Sequence, residues 1–198
     1  MVQIKKRKTD RRTIYTINVI KEAFLKLVKE EGYAKLTVAK LCREAEITRS
    51  TFYLHYTSLN DVLNEVLDDA LMLNQDSKIS MAGDYTINYL KENESLIPAC
   101  QRIGDNPTYQ NLLMDPDLSE YIVGRIMLHE HDKVVPSIIK ETNLSQDEAE
   151  TIFKYMIHGS FAVNRTHHFV KDNSWYQDVK MLNKFVNAGY SALANKNK

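Results

Sequence analysis

The chain has 198 residues, 43% of them hydrophobic, with only 6 Gly and 4 Pro, a composition that excludes a disordered chain and favours helices over turn-rich strands. Two cysteines, Cys42 and Cys100, are too few for a disulfide framework, and no leader-like run or 18-residue apolar stretch occurs, so a cytoplasmic protein outside the membrane is expected. The net charge of zero hides 13 basic against 6 acidic residues in 1–56 and 13 against 20 in 57–198, a basic head on an acidic body that suits a protein presenting one end to a polyanion.

Ile17, Ile20, Phe24, Leu27 and Val28 recur at helical spacing, predicting an amphipathic helix from about Arg12 to Glu31. Gly32 stands where a left-handed cap would end it. Thr37 is placed to cap a short helix carrying Val38, Leu41 and Cys42. Ala45-Glu46-Ile47 interrupts the pattern, and Thr48 caps a second short helix running to about Tyr56. Ser58 caps the next, with Val62, Leu63, Val66, Leu67 and Leu71 on its apolar side. Helical patterns follow at 84–91 and 95–102, then a Gly104-Asp105-Asn106-Pro107 loop and a helix start at Asp115-Pro116-Asp117. Ser145 with Glu148 forms a capping box for a helix over 146–169 that carries Ile152, Phe153, Met156, Ile157 and Phe161. After a turn at 171–174, a last helix carries Trp175, Val179, Leu182, Phe185, Val186 and Tyr190. No repeat and no alternating strand pattern is found. The expected fold class is all-α, with a head over 1–58 and a helical body over 59–198.

The stretch from Leu36 to Tyr56, LTVAKLCREAEITRSTFYLHY, pairs two short helices across a three-residue turn, the arrangement of a helix-turn-helix. Val38, Leu41, Ala45, Ile47 and Phe52 supply its interior. Arg49 with Tyr53, and Ser50 with Leu54, then form two outward stripes at i, i+4. Arg spans guanine O6 and N7, Ser donates or accepts, and Leu meets a thymine methyl. Tyr53, His55 and Thr37 offer donors suited to phosphate oxygens.

This segment resembles the TetR family of regulators. The likeness rests on Thr37 opening the first short helix, the apolar-Ala pair about the turn, Thr51-Phe52-Tyr53, His55-Tyr56, and Glu31-Gly32-Tyr33 closing the preceding helix. It is specific over about residues 10–70 and architectural beyond. The resemblance implies DNA contacts at Thr37, Arg49, Ser50, Thr51, Tyr53 and His55. It also implies a homodimeric repressor on double-stranded DNA with an inverted repeat, released by a small-molecule effector. Two positions depart from the family pattern. Glu46 stands where the turn commonly holds Gly, and a side chain at positive φ there costs roughly 1 kcal/mol. Leu59 stands where a phosphate-contacting Lys is common, and the Lys5-Lys6-Arg7-Lys8 cluster with Arg11-Arg12 can compensate.

For the body the resemblance implies dimerisation through 146–169 and 175–193, where Gly159, Ser160 and Gly189 permit close approach. It implies an effector pocket among the middle helices, with Tyr109, Leu113, Met127, Phe153, Met156 and His158 as lining candidates. A body controlled by a protein partner is the alternative. The histidine pairs 129/131 and 167/168 lack the i, i+4 spacing of a zinc helix, and no phosphate loop or paired nucleophile occurs. Neither a metal, a cofactor nor an enzymatic activity is expected.

Overall fold

The computed structural model describes residues 11–71 and 107–196, and every described element is helical. The helices expected at 84–91 and 95–102, residues 104–106 of the expected 104–107 loop, Cys100 and the Lys5 to Lys8 cluster lie outside the described residues, while Pro107 opens a helix instead of closing that loop. The chain divides into two compact units, the first ending at Val66 and the second beginning at Leu67, within the fourth helix.

The first unit begins with α1 (Arg11–Glu31), which buries Ile20, Ala23, Phe24, Leu25, Leu27 and Val28. Its end is set by Gly32, at φ 81°, whose N–H reaches the Val28 carbonyl at 2.9 Å. A single 3-10 turn, Tyr33–Lys35, leads to α2 (Val38–Glu44) and α3 (Arg49–Tyr53). Then α4 (Leu59–Ala70) buries Val62, Leu63, Val66, Leu67 and Ala70. Its start is capped reciprocally. Ser58 Oγ accepts the Asp61 N–H at 3.3 Å, while Asp61 Oδ2 accepts the N–H groups of Thr57 and Ser58 at 2.8 and 3.0 Å. The Thr57 hydroxyl, which also donates to Asp61 Oδ2, and after it the backbone N–H groups of Thr57 and Ser58 hold the Asp61 carboxyl below the usual range.

The second unit contains α5 (Pro107–Met114), a 3-10 turn at Pro116–Leu118, α6 (Ser119–Thr142), α7 (Gln146–Thr166) and α8 (Asn173–Lys196). Asp115 caps the 3-10 turn by accepting the Asp117 N–H at 2.9 Å. The 24-residue α6 is the element the sequence patterns left undrawn beyond its start. Pro136 lies inside it, and the polar residues Glu130 and Thr142 are buried on its inner face beside Ile126, Val134, Val135 and Ile138. Thr142 satisfies itself locally, donating to the Ile138 carbonyl at 2.6 Å. Glu130 Oε1 stands 2.8 Å from His129 Nδ1.

Helix α7 packs chiefly on α6, which also carries α8. The capping box at its start is complete: Ser145 Oγ accepts the Glu148 N–H, and Glu148 accepts the Ser145 N–H at 2.9 Å. Trp175, fully buried, donates its indole N–H to Asn164 Oδ1 at 2.7 Å, satisfying two buried polar groups at once. The Phe161 and Phe169 rings meet at 5.5 Å, and the Tyr190 hydroxyl donates to Met156 Sδ at 3.0 Å.

Candidate nucleic-acid interface

The head's interior explains the posture of α3. Phe52 is fully buried, and its ring stands 5.9 Å from that of Tyr56, itself 5% exposed. The Tyr56 hydroxyl donates to Glu65 Oε2 at 2.8 Å, while Glu65 Oε1 pairs with Lys21 at 2.7 Å. One carboxylate of α4 therefore ties the residues after α3 to α1. Burying a Phe side chain gains about 2–3 kcal/mol, so Phe52 fixes which face of α3 turns outward.

The turn between α2 and α3 is a Schellman motif. Ile47 N–H bonds the Cys42 carbonyl at 2.9 Å, Glu46 N–H reaches that of Arg43 at 3.3 Å, and Glu46 sits at φ 53°. Glu46 adopts the left-handed conformation that Gly reaches without a Cβ penalty. Ala45, 5% exposed, keeps the crossing tight, and Cys42 is buried beneath it, which pushes its thiol up.

Each short helix carries a threonine cap. Thr37 Oγ1 accepts the Lys40 N–H at 3.2 Å, and Thr48 Oγ1 accepts that of Thr51 at 3.1 Å. Thr48 Oγ1 also lies 2.9 Å from both Ser50 Oγ and Thr51 Oγ1. The spacing shows Thr48 as a cap; the bridging of Ser50 and Thr51 through it is hinted at by the three hydroxyls at 48, 50 and 51.

Arg49 and Ser50 are exposed, Tyr53 is 56% exposed and Leu54 80%. Thr51 and His55 are half-buried, and Thr37 is exposed at the start of α2, apart from the α3 cluster in the chain. Three lysines of the head pair with carboxylates: Lys21 with Glu65, Lys26 with Glu44, and Lys40 with Glu31. Glu31 is held below the usual carboxylate range by Lys40, and Lys26 is raised by Glu44. Arg49, by contrast, makes no ion pair among the described residues. An exposed guanidinium, a hydroxyl, a phenol and an apolar tip on one short helix form a surface that a DNA groove can use.

In the body, Leu113 and Phe153 are buried, Tyr109, Met127 and Met156 are half-buried, and His158 is exposed on α7. Phe153 meets His131 edge-on at 5.9 Å. His131, between Asp132 and Glu150, is raised from its ordinary value, first by Asp132. Among the described residues no cluster of three or more His, Cys, Asp or Glu has metal-binding geometry, and no helix is long and apolar enough to cross a membrane.

Residues 20–66 match the family described as bacterial regulatory proteins, tetR family. An uncharacterized HTH-type transcriptional regulator, YxbF of Bacillus subtilis (strain 168), is 33% identical over 64 residues. That stretch covers 32% of this chain and 17% of the relative, so the likeness spans under a fifth of that protein. No solved structure matches the chain.

Proposed function

We propose that the chain, whose residues 20–66 match the tetR family of bacterial regulatory proteins, is a sequence-specific DNA-binding transcriptional regulator acting as a homodimer on an inverted repeat. The outward face of α3 supports this reading: among the described residues Arg49 makes no ion pair, while Lys21, Lys26 and Lys40 are each paired with a carboxylate. Arg49 reads a guanine edge, Ser50 and Thr51 hydrogen-bond base edges or backbone, and Leu54 meets a thymine methyl. Tyr53, His55 and Thr37 anchor to phosphates.

The dimer is supported by the outer surface of α7 and α8. Tyr155 is 66% exposed, Met181 61% and Phe185 63%, and among the described residues nothing lies within 4 Å of where a Cβ would stand at Gly159 or Gly189. Large apolar groups exposed on two long helices, with glycines that admit a close neighbour, suit a four-helix pairing with a second copy. A twofold axis then requires the operator to be palindromic. The body, with Tyr109, Leu113, Met127, Phe153, Met156 and His158 as candidate contacts, takes a small-molecule effector that releases DNA, and the protein works in the cytoplasm as a repressor.

A salt titration tests the DNA reading. Affinity for duplex DNA should fall linearly on a double-logarithmic plot, by about 0.9 units for each phosphate neutralised. Binding that is insensitive to salt, or no stronger for duplex DNA than for an uncharged polymer, contradicts it.

A further inference from the structure

The three hydroxyls at the start of α3 have a hydrogen-bond inventory that can be counted. A threonine hydroxyl offers one proton and two lone pairs. The Thr51 N–H takes one lone pair of Thr48 Oγ1. One lone pair and one proton remain for two neighbours, Ser50 Oγ and Thr51 Oγ1, both 2.9 Å away. One neighbour must then donate to Thr48 while the other accepts from it. The neighbour that donates inward turns only lone pairs outward, and the one that accepts keeps its own proton free.

We propose that Thr48 is a positioning residue for base recognition, forcing Ser50 and Thr51 to show the groove one donor and one acceptor in place of two free rotors. The proposal rests on α3 being the recognition helix. Ser50 is exposed and Thr51 half-buried, so Ser50 meets the base most directly, with a polarity opposite to that of Thr51. Two hydroxyls held to opposite polarities distinguish base edges that two freely turning hydroxyls accept alike, because major-groove edges differ in the order of donors and acceptors. The rotor entropy is lost on folding, before DNA arrives, so binding need not repeat that cost.

The test uses the full-length protein and the sites it selects from random duplexes, with Thr48→Ser, Thr48→Asn and Ser50→Ala alongside it. Asn caps a helix at least as well as Thr, so its melting temperature should stay at the wild-type value. Its carbonyl oxygen takes the Thr51 N–H and its amide nitrogen only donates, so no single hydroxyl links Ser50 to Thr51 and the relay is broken. Thr48→Ser should keep the wild-type ratio of affinities for the preferred duplex and one altered base pair, within about twofold. Thr48→Asn should lower that ratio about tenfold at one base pair per half-site and leave the others unchanged.

Ser50→Ala leaves the cap intact and should lose preference at the same base pair. The double variant Thr48→Asn/Ser50→Ala should match Ser50→Ala alone there, and additive losses would overturn the relay. An unchanged preference in Thr48→Asn overturns it too. So does a uniform weakening on all duplexes, which would make Thr48 a phosphate contact. If the wild-type chain selects no site at all, the regulator reading falls and the relay with it. If it selects a palindrome that Thr48→Asn reads identically, the relay alone falls.

Discussion

The head and the body are built from the same amphipathic helices and use their outer surfaces in opposite ways. On α3 the outward groups are Arg49, Ser50 and Tyr53, with one apolar tip at Leu54. On α7 and α8 they include Tyr155, Met181 and Phe185. Even the turns correspond, since α2 and α7 both end in Schellman motifs with a non-glycine residue at positive φ, Glu46 at 53° and His168 at 51°. What separates the two regions is which chemistry remains after the core is satisfied. Hydrogen-bonding groups left over suit a polyanion, and apolar area left over suits another protein surface.

The largest expected effect comes from spoiling the body's surface. Phe185 is mostly exposed in the single chain, so Phe185→Asp should leave the helical content intact and dissociate the proposed dimer. Sedimentation should then report the mass of one chain, and operator affinity should fall about a hundredfold or more, because two linked heads gain that much from one another. Loss of folding, or a dimer that survives, would break the contrast between surplus apolar area and core.

Smaller effects are expected on the head. Arg49→Ala should cost about 1–3 kcal/mol on the best operator and relax one base pair per half-site. Tyr53→Phe should weaken all duplexes by a similar factor without changing the preferred bases. If Arg49→Ala weakens every sequence alike, Arg49 is an anchor and specificity comes from Ser50, Thr51, Leu54 or DNA shape.

Replacing Glu46 by Gly removes a Cβ from a left-handed position, partly offset by the freedom Gly gains in the unfolded chain. A stabilisation of up to about 1 kcal/mol is expected, read as a higher melting temperature.

The smallest effect is the acid limit. Asp61 in the head, and Glu148 and Asp172 in the body, are held below the ordinary carboxylate range, each first by a hydroxyl, of Thr57, Ser145 and Ser174 respectively. A depressed folded value means the stabilisation is full above the unfolded value near about pH 4 and is lost as pH falls through the folded one. Acid titration by circular dichroism should show Asp61→Asn flattening that loss for the head, with the body's share untouched.

The helices bounded by local chemistry were legible in the sequence. Thr37, Thr48, Ser58 and Ser145 each cap a helix as their spacing suggests, and the Ser145–Glu148 box closes in both directions. Helix α6 was not legible beyond its start, for two physical reasons. Pro136 sits where a breaker is expected, and the buried polar pair Glu130 and Thr142 interrupts the apolar period. Nor does periodicity separate core from surplus. Val179 and Phe185 belong to one apolar pattern, yet the first is 1% exposed and the second 63%. In the head, the residue types on α3 were readable, while the bridging of Ser50 and Thr51 through Thr48 needed distances.

Selection of binding sites from random duplex DNA by the full-length protein tests the central claim most directly. A homodimer with two heads on a twofold axis should return an inverted repeat whose half-site centres lie about 34–36 Å apart, or a multiple of that. Recovery of direct repeats, or of no enriched sequence, would contradict it.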